Sequence, residues 1–345
     1  MKSAVVICPG RGTYTKSELG YLQRHFGNKG LLEAFDARRA ALGQETLSAL
    51  DGATRYSLAT HTRGDNASAL IYAATLGDFR AIDREQIEVV AVTGNSLGWY
   101  STLAVGGALT AEAGFEVANT MGTLMQEALI GGQLIYPFVE EGWVADAGRK
   151  AALLARVAEI DARPDHLLAL SIDLGGMLVL AGNEAGLAAF EGAVPPQQDR
   201  FPLRLVNHAG FHCTLQAPVA ERGRARLAPT MFNQPRLPMI DGRGAIWWPG
   251  ACDPLALWDY TLGQQVTETY NFTQAVRIAA REFAPDLFII TGPGTTLGGA
   301  VAQALILTEW RGLRDKSDFQ QQQQTQPLLA SVGMDEQRKT VTTGV

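Results

Sequence analysis

The sequence has few cysteines, no long apolar run and no excess of positive charge. Cys8, Cys213 and Cys252 are the three cysteines among 345 residues, and none stands in the C-x-x-C spacing of zinc or redox sites. The N-terminal apolar run stops at Pro9, too short for a secretory signal, and no run approaches the roughly 18–20 residues of a membrane span. We therefore expect a cytoplasmic protein without disulfides, a metal site or a membrane anchor.

The charge balance and the missing nucleotide motifs narrow the function further. The 35 acidic residues outnumber the 29 basic ones, whereas nucleic-acid binding needs a basic surface. A dinucleotide-binding G-x-G-x-x-G that starts at Gly10 is broken by Thr15, and no P-loop, HExxH or EF-hand motif occurs. The sequence therefore predicts no cofactor and no nucleic-acid partner.

Short apolar runs that end in glycine turns alternate with longer helical segments. Strands are predicted over 4–8, 87–93 and 286–291, and helices with a broad apolar face over 67–79 and 112–129. Repetition of a strand, a sharp turn and a helix is the pattern of a parallel sheet covered by helices. The expected fold is therefore α/β, with an α/β-hydrolase-like large domain built on a mostly parallel sheet.

The middle of the chain has a different order of elements. These are a strand over 133–138, a helix over 145–160, strands over 167–172 and 177–181, a helix over 184–190 and a strand over 201–207. The order β-α-β-β-α-β is that of the ferredoxin-like unit. We therefore expect a small ferredoxin-like α+β domain inserted into the large one.

The composition also suggests domain boundaries. We expect the large catalytic domain to comprise 1–132 and 208–313, and the small domain to comprise 133–207. From residue 314 the chain becomes rich in glutamine and threonine, and low-complexity polar segments bury too little apolar surface to pack. The sequence therefore predicts a disordered tail over 314–345.

The sequence GNSLG at 94–98 lies between a predicted strand and a predicted helix over 97–107. A G-x-S-x-G in this context is typical of a nucleophile elbow, in which the glycines permit a strained turn that exposes the oxygen of Ser96. The amide of Leu97, at the helix N-terminus, would then face a developing oxyanion. The alternative interpretation is a glycine-rich turn in which Ser96 is only a helix N-cap.

Two of the five histidines are candidates for the base that a serine nucleophile requires. His208 and His212 flank Ala-Gly-Phe in the loop after the last small-domain strand, whereas His25 lies in a polar helical stretch and His166 at a polar turn. The residues alone leave His208 and His212 as alternatives.

Two arginine-containing segments have less specific signals. The sequence GRG at 10–12 follows the first strand. The alternatives for this segment are a second main-chain N–H donor at the site, a phosphate-binding site or only a turn. Arg222, Arg224 and Arg226 form a basic cluster that suits an acidic partner, although most charge clusters are solvated faces.

Further motifs occur along the chain in a fixed order: CPGRG at 8–12, GNSLGWYS at 94–101, MGTLMQ at 121–126, NHAGFHC at 207–213 and GPG at 292–294. They resemble, in turn, the motifs F-P-G-Q-G, G-H-S-L-G-E-Y-S, R-G-x-x-M-Q, N-x-x-x-x-F-H-S and G-P-G-x-x-L. These belong to malonyl-CoA:acyl-carrier-protein transacylases and the related acyltransferase domains of polyketide synthases. The match covers nearly all of residues 1 to about 310, and several ordered motifs at compatible spacing make this resemblance more specific than the elbow alone.

The resemblance implies an acyltransferase with Ser96 as the nucleophile and His212 as the base. In this family a main-chain carbonyl orients the histidine, and the matching residue is Gln265. The amides of Arg11 and Leu97 are implied as the oxyanion hole. Acyl-coenzyme A and the phosphopantetheine arm of an acyl carrier protein are the implied partners, in fatty-acid or polyketide biosynthesis.

The acyl pocket departs from the family's pattern. The family's arginine that pairs with the malonyl carboxylate aligns with Met121, and Asn95 stands where a histidine is usual. Without that cation, a carboxylate loses a charge-assisted interaction worth ~1.5–3 kcal/mol. We therefore expect either an uncharged acyl group or a relocated cation such as Arg63.

The expected function is transfer of an acyl group, malonyl by resemblance, from coenzyme A to an acyl carrier protein through a Ser96 acyl-enzyme. One alternative is an acyl-thioester hydrolase that acts on acyl carrier proteins, with water as the acceptor. Another is a non-catalytic carrier-protein docking subunit, which the changes at Arg11, Asn95 and Met121 favour. The retained Ser96 and His212 weigh against that last interpretation.

Overall fold

The computed structural model describes residues 1–144 and 146–343. Residue 145, where the sequence predicts a helix to begin, and residues 344–345 of the predicted tail lie outside that description. The strands are β1 (Lys2–Cys8), β2 (Ile87–Gly94), β3 (Gly132–Pro137), β4 (Leu168–Leu174), β5 (Met177–Gly182), β6 (Leu203–Arg204), β7 (Met239–Ile240), β8 (Ile246–Trp247), β9 (Tyr270–Asn271), β10 (Leu287–Ile290) and β11 (Leu329–Ser331).

Helices connect these strands and cover the sheets. They are α1 (Tyr21–His25), α2 (Lys29–Ala41), α3 (Leu47–Asp51), α4 (Leu58–His61), α5 (Gly64–Ala81), α6 (Gly98–Val105), α7 (Ala111–Ala128), α8 (Ala147–Asp161), α9 (Glu184–Ala193), α10 (Ala217–Arg226), α11 (Pro254–Leu262), α12 (Gln264–Thr267), α13 (Phe272–Phe283), α14 (Leu297–Leu307), α15 (Lys316–Thr325) and α16 (Asp335–Arg338). Short 3₁₀ turns lie at Lys16–Glu18, Thr214–Gln216, Pro229–Met231 and Trp310–Gly312. Among the described residues, no helix combines the length and the apolar character that a membrane crossing needs.

The larger sheet has the strand order β11-β10-β1-β2-β7-β8. Neighbouring strands are parallel except for β7 and β8, which form an antiparallel pair. The side chains of β1 from Ala4 to Cys8 are fully buried, because helices cover both faces of a parallel sheet. The prediction of an α/β fold with a mostly parallel sheet is confirmed.

The smaller sheet has the order β6-β3-β5-β4-β9. Each of its first four strands is antiparallel to its neighbour among them. With α8 and α9, these strands form the ferredoxin-like unit that the sequence predicts. The last strand of that unit is shorter than the predicted 201–207. β9 adds a parallel pairing to β4, with Tyr270 opposite Ile172, and comes from a segment predicted to belong to the large domain.

α5 and α7 pack at very short range and carry part of the site between them. A Cβ atom on Gly64 would lie 2.7 Å from the carbonyl oxygen of Gly122, so only glycine fits at this crossing. The Gln126 side chain accepts a hydrogen bond from the Gly64 amide at 2.7 Å. These contacts determine which face of α7 points toward the nucleophile.

The prediction of a disordered tail over 314–345 is wrong for residues 314–343, the part of it that the structure describes. The glutamine-rich segment forms α15, which begins at an Asp315 side chain that accepts from the amide of Asp318. β11 then pairs in parallel with β10 at the edge of the larger sheet. Arg338 beyond it reaches Asp78 of α5 and the hydroxyl of Tyr21 in the interior. Composition missed this because a few buried residues, far from their partners in sequence, anchor a mostly polar segment.

Candidate active site

Ser96 lies in a tight turn between β2 and α6. It has φ 55°, a left-handed conformation that strains a non-glycine residue and is concentrated at functional sites. A Cβ atom on Gly94 would lie 2.4 Å from the carbonyl oxygen of Gly98, and one on Gly98 would lie 2.1 Å from that of Cys8. The backbone at this turn therefore has the form of a nucleophile elbow.

Ser96, His212 and Gln265 form a chain of hydrogen bonds. The Oγ atom of Ser96 lies 2.7 Å from Nε2 of His212, and Nδ1 of His212 lies 2.6 Å from the main-chain oxygen of Gln265. Because a carbonyl oxygen can only accept, it selects the tautomer with the proton on Nδ1 and leaves the lone pair of Nε2 facing the serine. This geometry suits removal of the hydroxyl proton.

Burial determines the protonation state of His212. The residue is 4% exposed, and this burial lowers the pKa of its imidazole to about 4, although the bond to Gln265 partly opposes the shift. The imidazole is therefore neutral at pH 7 and ready to accept a proton.

His208, the other histidine of the loop, is engaged elsewhere. Its Nδ1 lies 2.9 Å from Oε1 of Gln133, whose Nε2 donates to the hydroxyl of Ser171 at 2.6 Å. Ser171 donates in turn to the carbonyl oxygen of Phe211 at 2.8 Å. These bonds tie β3 and β4 to the residue just before His212, so this chain holds the loop in place.

The main-chain amides of Arg11 and Leu97 lie at the site without a hydrogen-bond partner among the described residues. Both residues line the cavity that holds Ser96. Unpaired amides away from water are rare, so two of them beside a serine are suited to bind the oxyanion of a tetrahedral intermediate.

Two tyrosine side chains that the sequence analysis did not identify, those of Tyr100 and Tyr270, support the hydrogen-bonded site around Ser96. Tyr100 donates to the Gln265 side chain at 3.1 Å, and that side chain donates to the carbonyl oxygen of Ser96 at 3.2 Å. Tyr270 donates to the carbonyl oxygen of Gly94 at 2.6 Å. Tyr100 stands one helical turn after the nucleophile, which is a local signal, whereas Tyr270 comes from β9 and has none.

A narrow cavity opens beside Ser96. Only about 20 Å³ of it is accessible to the centre of a water molecule, which is room for little more than one water. Its lining includes Ser68 of α5, Gly122 and Met125 of α7, and Phe211. Within residues 1–144 and 146–343, no three His, Cys, Asp or Glu side chains are grouped so that they could hold a metal ion.

None of the predicted acyl-pocket residues Met121, Asn95 and Arg63 lines this cavity. The orientation of α7 turns the fully buried Met121 toward α10, where a Cβ atom on Gly223 would lie 2.7 Å from its sulfur. Arg63 pairs with Asp65 at 3.1 Å. Asn95 has a buried Oδ1 that finds no partner among the described residues.

The basic cluster lies on α10, and much of its charge is paired. Arg222 forms an ion pair with Glu127, and Arg224 forms one with Asp259 at 2.7 Å. Exposed pairs of this kind contribute little to stability, but they reduce the free positive charge of the surface. The cluster therefore offers less charge to an acidic partner than the sequence suggests.

Comparisons with known proteins find relatives in sequence and in fold. The malonyl CoA-acyl carrier protein transacylase of Salmonella typhimurium is 25% identical over 208 residues, which cover 60% of this chain and 63% of that protein. An acyl-carrier-protein S-malonyltransferase from Burkholderia pseudomallei superposes with a TM-score of 0.74 at 22% identity, covering 99% of both chains. The resemblance to the transacylase family is confirmed.

The match in fold extends further than the match in sequence. A structure described as a type II polyketide-synthase acyl-carrier protein in complex with its malonyl-transacylase superposes with a TM-score of 0.72 at 18% identity, covering 99% of both chains. The chain spans less than two thirds of the length of the curated transacylases that it matches first. No protein-family model matches it. The transacylase fold is thus common to nearly the whole chain, while the similarity in sequence covers 60% of it.

Proposed function

We propose that this protein transfers an acyl group from coenzyme A to an acyl carrier protein through an ester on Ser96. The Oγ atom of Ser96 attacks the thioester carbonyl carbon while Nε2 of His212 takes its proton. The amides of Arg11 and Leu97 hold the resulting oxyanion. The C–S bond then breaks, the coenzyme A sulfur takes the proton from His212, and the acyl group stays on Ser96.

The second half reaction reverses these steps with a different thiol. The phosphopantetheine thiol of the carrier protein gives its proton to His212 and attacks the ester carbon. The C–O bond then breaks, and Ser96 regains the proton from His212. In both halves the main-chain oxygen of Gln265 stabilises the imidazolium that forms briefly.

The observation that carries this proposal is the 2.7 Å contact between Ser96 Oγ and a neutral His212, beside two unpaired amides. Nucleophile, base and oxyanion donors are the parts that acyl transfer requires. The choice of coenzyme A as the acyl donor and of a carrier protein as the acyl acceptor rests on relatives. The Salmonella protein is named a malonyl CoA-acyl carrier protein transacylase, and a fold neighbour is described in complex with its carrier protein.

Intact-mass spectrometry after incubation with acyl-coenzyme A donors tests the proposal. We expect the wild-type protein to gain the mass of one acyl group and Ser96→Ala to gain none. Ser101→Ala is the matched control, since this buried serine lies in α6, the helix that follows the nucleophile turn, and its replacement should leave acylation intact. An adduct that persists in Ser96→Ala would contradict the assignment.

Addition of a holo acyl carrier protein to the acyl-enzyme separates transfer from the two alternatives. We expect the adduct to disappear and the carrier protein to gain the acyl group. Release of free acid at the same rate without carrier protein identifies a hydrolase instead. A protein that binds carrier protein but is not labelled by a serine-directed acyl probe is a docking subunit.

A further inference from the structure

The cavity beside Ser96 contains a charged side chain with unused hydrogen-bonding capacity. The Nη2 atom of Arg11 donates to the carbonyl oxygens of Thr62 at 2.8 Å and Asn207 at 3.0 Å. Its Nε atom is buried and has no partner in the described ranges 1–144 and 146–343. The guanidinium also lies over the ring of Phe211, 5.3 Å from its centroid. These contacts hold the group in place but do not neutralise it.

In the described part of the chain, no carboxylate forms an ion pair with Arg11. Asp65 is the carboxylate that acts on Arg11 through space, and Arg63 already holds both of its oxygens, at 3.1 and 3.2 Å. Burial lowers the pKa of Arg11 to about 10, so the guanidinium remains charged at neutral pH. A charge that is partly buried without a counter-ion is costly, and a ligand that supplies an anion reduces that cost.

We propose that the Arg11 side chain recognises a carboxylate on the acyl group, an inference that rests on the acyl transfer proposed above. The arginine that the family places at position 121 is absent here, and Met121 faces α10 instead. Arg11, in the turn after β1, supplies a cation to the cavity beside Ser96. The acyl donor is then the half-thioester of a short dicarboxylic acid.

The position of Arg11 favours a carboxylate on the acyl group over the phosphates of the donor. The whole pantetheine chain separates those phosphates from the thioester, so they stay outside when the carbonyl carbon reaches Ser96. A carboxylate one carbon away from that carbonyl stays beside Ser96, next to the cavity that Arg11 lines. Arg11 then acts on both ends of one acyl group, with its amide on the carbonyl oxygen and its guanidinium on the carboxylate.

Transfer kinetics with malonyl-coenzyme A and acetyl-coenzyme A test this role, because the two donors differ only in the carboxylate. The readout is the ratio of kcat/KM for malonyl over acetyl, in which effects on shared chemical steps cancel. We expect Arg11→Gln to lower this ratio about 10- to 100-fold, the loss expected for one charge-assisted hydrogen bond. Arg11→Lys keeps a charge and recovers part of the ratio. Arg314→Gln, at an exposed arginine that pairs with Asp318, is the matched control and leaves the ratio unchanged, and Arg63→Gln is measured beside it.

The outcomes distinguish this inference from the function on which it rests. An equal loss for both donors in Arg11→Gln overturns it, because the guanidinium then serves the oxyanion. A ratio that collapses only in Arg63→Gln also overturns it. A wild-type protein that accepts acetyl but not malonyl refutes the inference and leaves acyl transfer standing, whereas no acylation by either donor refutes both. Thermal unfolding checks that each variant folds. If Arg11→Gln does not fold, the ratio for Arg11→Lys is compared with that of the wild-type protein instead.

Discussion

Gln265 holds His212 through a main-chain carbonyl, at the place where many serine enzymes use a carboxylate. A carboxylate stabilises the protonated imidazole and raises its pKa, whereas an uncharged carbonyl does so far less. Burial therefore dominates and keeps the pKa of His212 at about 4. The residue is a neutral base across the physiological range of pH.

The pH dependence of acylation tests this protonation state. His212 accepts a proton only while it is neutral, which holds at every pH above its pKa of about 4. We expect the single-turnover rate of Ser96 acylation to be constant down to about pH 5 and to fall tenfold per unit below about pH 4. Quenched intact-mass measurements give the rate, and circular dichroism at each pH shows whether the fold persists. A fall centred near pH 6.5, the value for an exposed histidine, would contradict a buried base.

At the scale of elements, three strands and one helix maintain the strained turn at Ser96. The first residue of α6, Gly98, lies directly against the Cys8 carbonyl at the end of β1. Tyr270 of β9, in the smaller sheet, binds the carbonyl of Gly94 at the end of β2. The strain is therefore held by packing between both sheets, and not by the local sequence alone.

Gly98→Ala tests this close packing. A Cβ atom 2.1 Å from a main-chain oxygen forces the backbone to move, so we expect the free energy of unfolding to fall by about 3 kcal/mol or more and Ser96 acylation to be lost. Gly192→Ala in α9 is the control, because nothing lies within 4 Å of its added Cβ; there we expect a gain of at most about 1 kcal/mol. Urea unfolding measures both, and a fully stable Gly98→Ala would refute the argument.

At the scale of the whole molecule, the C-terminal segment forms one edge of the larger sheet and contacts distant parts of the chain. β11 covers the edge of β10, and Arg338 pairs with the fully buried Asp78 of α5. Tyr21 donates to Asp78 at 2.7 Å, and the amide of Gly292 donates to it at 2.6 Å. This buried cluster links the N-terminal region, α5, the segment after β10 and α16.

Removal of the Arg338 charge should therefore destabilise the whole protein. We expect Arg338→Met to lower the free energy of unfolding by about 3–5 kcal/mol, because Asp78 is left buried without its counter-ion. Lys339→Met, which removes an exposed pair with Glu336, should change it by no more than about 0.5 kcal/mol. Urea denaturation measures both variants, and equal stabilities would contradict a stabilising role for the Arg338–Asp78 pair.

Local patterns predicted much of the fold and the centre of the site. Alternating strands and helices indicated the parallel sheet, and the glycines at 94 and 98 indicated the elbow, because backbone conformation depends on neighbouring residues. The family motifs indicated His212 and Gln265, which the structure places in one chain of hydrogen bonds with Ser96. The part played by Tyr270 had no local signal, since β9 reaches the elbow only through tertiary packing.

The sequence by itself determined the α/β order of elements, the ferredoxin-like unit and the strained serine turn, all of which follow from periodicity and backbone freedom. Only the tertiary structure decided that Arg11 and not Arg63 lines the cavity, that Met121 turns toward α10, and that the polar C-terminal segment forms a strand. The physical reason is that local preferences act between neighbours in the chain. Which side chains share a cavity or a sheet edge depends on packing between elements far apart in sequence.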